Sequence, residues 1–360
     1  MRRLGLALGA LTLLSLSVLL YYRAPLHLLF RIGDEEGALA SFAALGRPGV
    51  VTAELVYDDG ARGRIYRPDA GSARGRYLVF HGMHRLGIDE PRLIGLARAL
   101  AELGFEVHTP ELGGLKEYRV EEAEIERIRA RVRGASRDSA VSIFAISFAG
   151  GLALLACEDE ALRDSIRSLF LLGPYADLER VLRFYAGEGA RAPDGELIPL
   201  IPHPYGLELL LRDRIDEWTA PEEREAIFAI LGTAVSDDFK SADALAEALG
   251  GERGVELRGL IRGKPSERLE AIARGLIDAR AGSFGELSFD AARGSLPDRI
   301  FILHGAEDRV IPPTESLHLK EALGEEIELL ITGAIRHAEG ASASQFFDQL
   351  ALIRLMRRAL

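Results

Sequence analysis

The sequence has little of several features that would fix a function class at once. It contains a single cysteine, Cys157, which excludes an intramolecular disulfide framework and a zinc site built from several cysteines. It has no HExxH motif and no glycine-rich phosphate loop after its first strands, so we expect no metal and no cofactor. It has 44 basic and 55 acidic residues, and the net charge of −11 argues against nucleic acid as a partner.

Long uncharged runs are rare as well, with one exception at the N-terminus. The segment from Leu4 to Tyr22 carries no charge, follows two arginines, and is about as long as a helix that crosses a hydrocarbon core of roughly 30 Å. We expect 1–23 to be an uncleaved signal anchor, a single transmembrane helix that leaves the rest of the chain extracytoplasmic. A cleaved signal peptide is the alternative, although its small-residue site would fall inside the apolar run. Residues 24–49 are expected to be a linker with a short helix.

The remaining chain alternates between short apolar strands and amphipathic helices, except in its middle. Strands that are apolar throughout and alternate with helices predict an α/β fold, with a mostly parallel sheet covered on both faces. Residues 175–297 interrupt this alternation of strands and helices. Their pattern is polar and typical of helices, and it contains no strong buried strand. We therefore expect an α/β core formed by 50–174 and 298–360, with a helical insertion between the two parts.

One serine lies between a buried strand and an apolar helix, in the segment FAISFAGG at 144–151. In that position Ser147 occupies a sharp strand-to-helix turn that lifts its hydroxyl above the sheet. The residues two before and two after it must be small, and Ala145 and Ala149 meet this need where glycines are commoner. The alternative is a buried serine that caps the helix. We predict Ser147 as a nucleophile, with Gly150 supporting the turn.

A serine hydroxyl needs a base to take its proton, and the base needs a carboxylate to orient it. Asp308 follows the strand DRIFILHG, and His337 follows the next strand along the chain. Both loops should open at the same edge of the sheet as the Ser147 turn, where ligands bind in open α/β sheets. The chain order of serine, acid and histidine also fits. We predict Asp308 as the acid and His337 as the base.

Other residues remain candidates for these roles. Glu307 is adjacent to the predicted acid, and Asp177 follows the preceding strand, where some enzymes place the acid. Glu339 is a candidate partner of the predicted base. Among the other histidines, His84 and His318 are the lesser candidates for catalysis.

The developing oxyanion of an acyl transfer requires two preorganised N–H donors. We predict the backbone N–H of Phe148, directly after the serine, and that of Met83, in the loop after the strand YLVFHG. Gly82 lets the backbone turn closely there. His81 is predicted to be structural, since the same His-Gly dipeptide recurs at another strand end, 304–305.

These segments resemble the α/β-hydrolase superfamily, and more narrowly its capped lipase and serine-aminopeptidase-like branch. The resemblance covers about 76–174 and 298–360, and its matching pieces are YLVFHGM, LARALAELGFEVHTPELGG, FAISFAGG, ILHGAEDRVIPP and RHAEG. It implies that 175–297 forms a helical cap over the site. Two departures leave the substrate open, namely the alanines around the serine and Glu111-Leu112 where the family usually has Asp-Arg.

The sequence therefore predicts a membrane-anchored serine hydrolase that cleaves a carboxylic ester of lipid or acyl type through an acyl-enzyme on Ser147. The ester preference is an analogy, since a membrane anchor and an apolar cap suit small-molecule acyl substrates. A peptidase or thioesterase of the same fold is an alternative, as is a lyase or acyltransferase. A non-catalytic binding module on this fold is a further one, which a missing triad member would favour.

Overall fold

The computed structural model describes residues 17–33, 35–236, 238–290, 296–333 and 346–360. The strands in these ranges are β1 Val50–Val56, β2 Arg62–Pro68, β3 Arg76–Phe80, β4 Glu106–Pro110, β5 Val141–Ile146, β6 Ile166–Leu172, β7 Ala190–Arg191, β8 Leu197–Ile198, β9 Ile300–Gly305 and β10 Ile327–Thr332. The α-helices are α1 Arg23–Ile32, α2 Ala38–Ala44, α3 Pro91–Glu102, α4 Gly113–Lys116, α5 Glu122–Ala135, α6 Phe148–Ala156, α7 Leu178–Arg183, α8 Pro204–Asp213, α9 Ile215–Trp218, α10 Pro221–Val235, α11 Phe239–Leu249, α12 Gly251–Ile261, α13 Glu267–Asp278, α14 Thr314–Leu323 and α15 Phe346–Ala359.

The main sheet has the strand order β1-β2-β4-β3-β5-β6-β9-β10. β2 pairs antiparallel with β1 and β4, and every other neighbouring pair is parallel. The prediction of a mostly parallel sheet is therefore confirmed. Because β3, β5, β6, β9 and β10 all run in one direction, the loops that follow them open at a single edge. We call this edge the catalytic edge, because the sequence predicts the catalytic residues there.

Both faces of the sheet are buried, as its continuously apolar strands require. Alternate residues of β5 show the pattern, because Ile143 and Ala145 face α5 and α6 while Phe144 faces the opposite layer of α1, α3 and α15. Phe144 stacks on Phe170 of β6, with ring centroids 4.6 Å apart. The sheet is therefore covered on both sides, and its residues reach solvent mainly at the edges.

The predicted signal anchor lies mostly outside the described residues, which begin at Ser17. Among the helices that the structure describes, none combines the length and the apolar character needed to span a membrane. The following segment, predicted as a linker with a short helix, forms α1 and α2.

Helix α1 is docked on the core. Leu28 is fully buried, and His27 Nε2 donates to Glu102 Oε2 of α3 at 2.8 Å. Burial alone would raise the pKa of Glu102, but hydrogen bonds from His27 and Arg31 outweigh it and lower that pKa to about 2. A charged carboxylate therefore fixes α1 against α3, and the C-terminal end of α1 reaches the catalytic edge.

The residues between β6 and β9 form helices α7 to α13 and the small β7–β8 hairpin. They pack around their own apolar cluster, which includes Leu211, Ile227 and Leu257. Where this cap begins, the fully buried Glu315 of α14 accepts the backbone N–H groups of Ala176 and Asp177 at 3.0 and 2.9 Å. Arg180 of α7 donates to the same carboxylate. A partly buried ion pair thus joins the cap to the core.

Candidate active site

Ser147 connects β5 to α6 in a backbone conformation that side-chain-bearing residues rarely adopt, with φ of 57° and ψ of −128°. Such strain persists only where the surrounding structure enforces it. The Ser147 N–H donates to the carbonyl of Leu172 at 2.7 Å, and its own carbonyl accepts the Gly150 N–H at 2.8 Å. Ala145 and Ala149 on either side are both fully buried. The turn thus holds the serine at the catalytic edge.

Small residues allow other chain segments to approach this turn. A Cβ on Gly82 would lie 3.2 Å from Ser147 Cβ, so the glycine lets the loop after β3 touch the serine. A Cβ on Gly150 would lie 3.0 Å from Pro174 Cβ. The constraint is even stronger at Gly151, where a Cβ would lie 2.3 Å from a tyrosine ring. The glycines therefore have a packing role at this turn.

Asp308 follows β9 and is 1% exposed. Its Oδ1 accepts the N–H groups of Val310 and Ile311 at 2.9 and 3.0 Å, which fixes the plane of the carboxylate. Its Oδ2 lies 3.6 Å from Nε2 of the fully buried His304. That nitrogen also contacts the Ile311 carbonyl at 2.9 Å and so carries the proton, while Nδ1 contacts Ser316 Oγ at 2.6 Å.

His304 is a supporting residue that the sequence argument missed. Its signal was the His-Gly dipeptide at the end of a strand, which predicted only a turn. The alternatives for the acid occupy different surroundings. Glu307 is exposed, and Asp177 caps α7 by accepting the Arg180 N–H at 2.9 Å. Asp308 is the buried carboxylate of the three.

The predicted base His337 and its candidate partner Glu339 lie outside the described residues. The strand that leads to them is described. β10 pairs in parallel with β9 and ends at Thr332, opposite Gly305. The chain therefore leaves β10 toward His337 at the catalytic edge, beside the loop of Asp308. The contact between Ser147 and His337 stays a prediction.

His81 orients the peptide that is predicted to supply an oxyanion donor. Its Nε2 accepts the Leu112 N–H at 2.9 Å, so Nδ1 carries the proton and donates to the Gly82 carbonyl at 2.7 Å. Burial lowers the pKa of His81, which keeps the ring neutral. Because a trans peptide is planar, a Gly82 carbonyl turned toward His81 turns the Met83 N–H the opposite way.

The second predicted donor, the N–H of Phe148, belongs to the first residue of α6. Unpaired N–H groups and the helix dipole both favour negative charge at a helix N-terminus. Of the lesser histidine candidates, His318 contacts the Arg191 carbonyl on the surface. His84 lines the same cavity as Ser147 and accepts the Leu86 N–H at 3.2 Å.

Two cavities meet at the catalytic edge, and Met83 and Tyr118 line both. The serine cavity, of about 230 Å³, contains Ser147 and has a mainly apolar wall with polar groups at His84, His203 and Tyr205 and charged groups at Glu90 and Arg92. The cap cavity, of about 250 Å³, begins at Phe148 and continues between core and cap along leucine, isoleucine and phenylalanine side chains, with charged residues that include Glu121 and Arg214. The two cavities provide apolar space on both sides of Met83.

No protein-family model and no curated protein matches the chain. Among solved structures the chain is similar to the Francisella virulence factor BioJ, with 12% identity, a TM-score of 0.46, and coverage of 89% of this chain and 87% of that one. It is similar to a hyperthermophilic esterase from the archaeon Pyrobaculum calidifontis, with 14% identity, a TM-score of 0.45, and coverage of 94% and 88%. A bacterial brefeldin A esterase gives 13% identity, a TM-score of 0.45, and coverage of 89% and 78%.

The assignment of the fold does not depend on these similarities, because the chain's own topology carries it. The sheet has a parallel centre and an antiparallel end, and the serine turn follows its central strand β5. A buried carboxylate follows β9, and a helical cap lies between β6 and β9. This strand order, with a strained serine between β5 and α6, is that of the α/β-hydrolase fold.

Proposed function

We propose that the protein is a serine hydrolase that cleaves carboxylic esters of acyl or lipid type. The observation that carries this proposal is the strained turn at Ser147, which places this serine in the wall of a cavity at the catalytic edge. A serine held only as a helix cap would not need a positive φ or a glycine in contact with its Cβ. The buried, doubly hydrogen-bonded Asp308 at the same edge supports the same reaction.

In the proposed reaction, Ser147 Oγ attacks the ester carbonyl carbon while His337 takes the hydroxyl proton. The N–H groups of Met83 and Phe148 stabilise the oxyanion that forms. The C–O bond of the ester then breaks, and the departing alkoxide receives the proton from His337. Water attacks the acyl-enzyme by the same sequence and releases the carboxylic acid. Asp308 holds the imidazole and stabilises its protonated form.

The apolar parts of both cavity walls favour small-molecule substrates with hydrocarbon arms. Burying each methylene contributes about 0.8 kcal/mol, so a few methylenes distinguish a short ester from a longer one. We also propose that 1–23 anchors the enzyme in a membrane with the hydrolase domain on the extracytoplasmic side. The uncharged run Leu4–Tyr22 supports this part of the proposal.

A fluorophosphonate probe tests the nucleophile directly, because it reacts with activated serines. The wild-type protein should be labelled, and Ser147→Ala should abolish labelling with an unchanged circular dichroism spectrum. Ser142→Ala is the matched control, since it removes a buried hydroxyl from the same strand and should retain labelling. Labelling that survives in Ser147→Ala would refute the assignment.

A panel of acyl esters, thioesters and amides with matched acyl groups tests the substrate class. We expect the highest kcat/KM for esters, with a dependence on acyl chain length. A higher kcat/KM for amides or thioesters would instead favour a peptidase or a thioesterase of this fold.

A further inference from the structure

The loop of the predicted acid is tied directly to the cap by one arginine. Arg309 Nε donates to the carbonyl of Ile201 at 2.7 Å, and its Nη2 donates to the carbonyl of Pro202 at 3.4 Å. In the reverse direction, the His203 N–H donates to the Arg309 carbonyl at 2.8 Å. Three hydrogen bonds therefore join the residue after Asp308 to three consecutive residues of the cap. We call cap residues 199–205 the cap loop.

The composition of the cap loop explains why it needs an outside partner. Prolines stand at 199, 202 and 204, and a proline has no backbone N–H to donate. The loop therefore has few donors with which to pair its own carbonyl groups. A guanidinium group carries five donors in a fixed plane and can satisfy two neighbouring carbonyls at once. Arg309 supplies these donors.

The cap loop carries side chains that face the serine. His203 and Tyr205 both line the serine cavity. His203 also caps α8, since its Nδ1 accepts the Tyr205 N–H at 3.3 Å and its carbonyl accepts the Gly206 N–H at 3.2 Å. The position of the loop thus determines both the cavity wall and the start of α8.

We propose that Arg309 is a positioning residue for substrate binding, which holds the cap loop so that His203 and Tyr205 form part of the wall of the serine cavity. The proposal rests on the proposed function, since the bound molecule is taken to be an ester. Arg309 acts through the cap loop and not on the reacting atoms. The carboxylate of Asp308 is fixed by backbone N–H groups of its own loop, so removal of the Arg309 side chain leaves it in place.

Kinetics with a short and a long ester test this role. In Arg309→Ala, the KM for p-nitrophenyl octanoate should rise about 3- to 10-fold, the range expected from losing one or two hydrogen bonds. The kcat for both esters and the KM for p-nitrophenyl acetate should stay within about twofold of wild type, because the small ester does not reach the cap wall. In Arg309→Lys the rise in KM should be smaller, since an ammonium group can donate to one of the two carbonyls but not to both in the planar geometry of a guanidinium group.

The matched control is Arg191→Ala. Arg191 is an exposed cap arginine whose Nη1 donates to the Gly195 carbonyl within the β7–β8 region, and its removal should leave both esters unaffected. A double-mutant cycle with His203→Ala adds a second readout. If Arg309 acts through the cap loop, its loss should raise KM by a smaller factor once the His203 side chain is gone, because only Tyr205 then remains to be positioned.

Hydrogen exchange separates this inference from the proposed function, because it does not depend on activity. Amides in 199–206 should exchange faster in Arg309→Ala than in wild type, while those in 141–156 should not change. Unchanged exchange in 199–206 would overturn the inference even if esters are cleaved. An equal loss of kcat on both esters would overturn it too, since it would place the effect on the acid. If wild type cleaves no ester, the proposed function fails, and hydrogen exchange alone decides the role of Arg309.

Discussion

The serine turn and the cap loop line the same cavity but are built in different ways. The turn is shaped by backbone hydrogen bonds, a strained φ and close packing at Gly82 and Gly150. The cap loop is held by two side-chain hydrogen bonds from Arg309 and one backbone hydrogen bond, from the His203 N–H to the Arg309 carbonyl. A structure fixed mainly by backbone has little freedom to adjust, whereas a loop held largely by one exposed side chain can shift. Damage at the turn and its acid should therefore lower kcat, and damage at the cap should raise KM.

The largest effect is expected at Asp308. In Asp308→Asn the amide oxygen can still accept the Val310 and Ile311 N–H groups, so the loop should keep its shape. The imidazole of the predicted base His337 would lose its negative partner and its preferred tautomer, and kcat should fall about 10⁴-fold. Steady-state kinetics give kcat, and thermal unfolding checks the fold. Glu307→Gln, the matched control on an exposed neighbour, should keep wild-type kcat. The reverse outcome would make Glu307 the acid.

The positions of the serine turn and of the Asp308 loop could be predicted because their signals are local in sequence. A buried strand, a serine between small residues and an apolar helix define the turn within eight residues, and the chain order then points to Asp308. The support from His304 could not be predicted in this way. Its role depends on Ile311 and Ser316, which the fold brings to both nitrogens of its ring.

An intermediate effect is expected at His81, which links Leu112 to the Gly82 carbonyl. In His81→Phe the Gly82–Met83 peptide loses the partner that sets its orientation, and a buried N–H loses its acceptor. If the Met83 N–H is an oxyanion donor, kcat should fall about 10²-fold with little change in KM. Dividing the rate by the concentration of sites that a fluorophosphonate titrates corrects for any unfolded protein.

The matched control for His81 is His108→Phe. His108 lies on β4 and contacts Glu106 at 2.8 Å, so its loss should change stability without a comparable change in kcat. A His81→Phe enzyme with wild-type kcat per titrated site would show that the peptide keeps its orientation without the imidazole.

The cap was predictable only in outline. Its helical character follows from composition and from the interruption of the strand pattern. The hydrogen bonds that join it to the core, however, connect residues that are far apart in sequence. Arg309 lies 108 residues from Ile201, and Glu315 lies 139 residues from Ala176. Nothing in either segment alone identifies its partner. The docking of α1 on α3 was unpredictable for the same reason, because His27 and Arg31 meet Glu102 only in the folded chain.

The smallest effect is expected inside the cap, at Gly206 of α8. A Cβ there would lie 2.2 Å from the buried ring of Tyr185, so Gly206→Ala must shift the helix or the ring. Overpacking of this kind costs about 1 to 3 kcal/mol, and the shift should carry Tyr205 with it. We expect a lower melting temperature and a KM for p-nitrophenyl octanoate raised a few-fold, with kcat for p-nitrophenyl acetate unchanged.

Gly232→Ala in α10 is the matched control for this cap substitution. Its Cβ would lie 3.4 Å from Arg212 Nε, an ordinary contact, and alanine should stabilise the helix by up to about 1 kcal/mol. The two variants make the same chemical change in the same cap and differ in the space that receives it. If Gly206→Ala lowers kcat for the acetyl ester as much as it raises KM for the octanoyl ester, the cap reaches the reacting atoms. The division between a turn that sets kcat and a cap that sets KM would then fail.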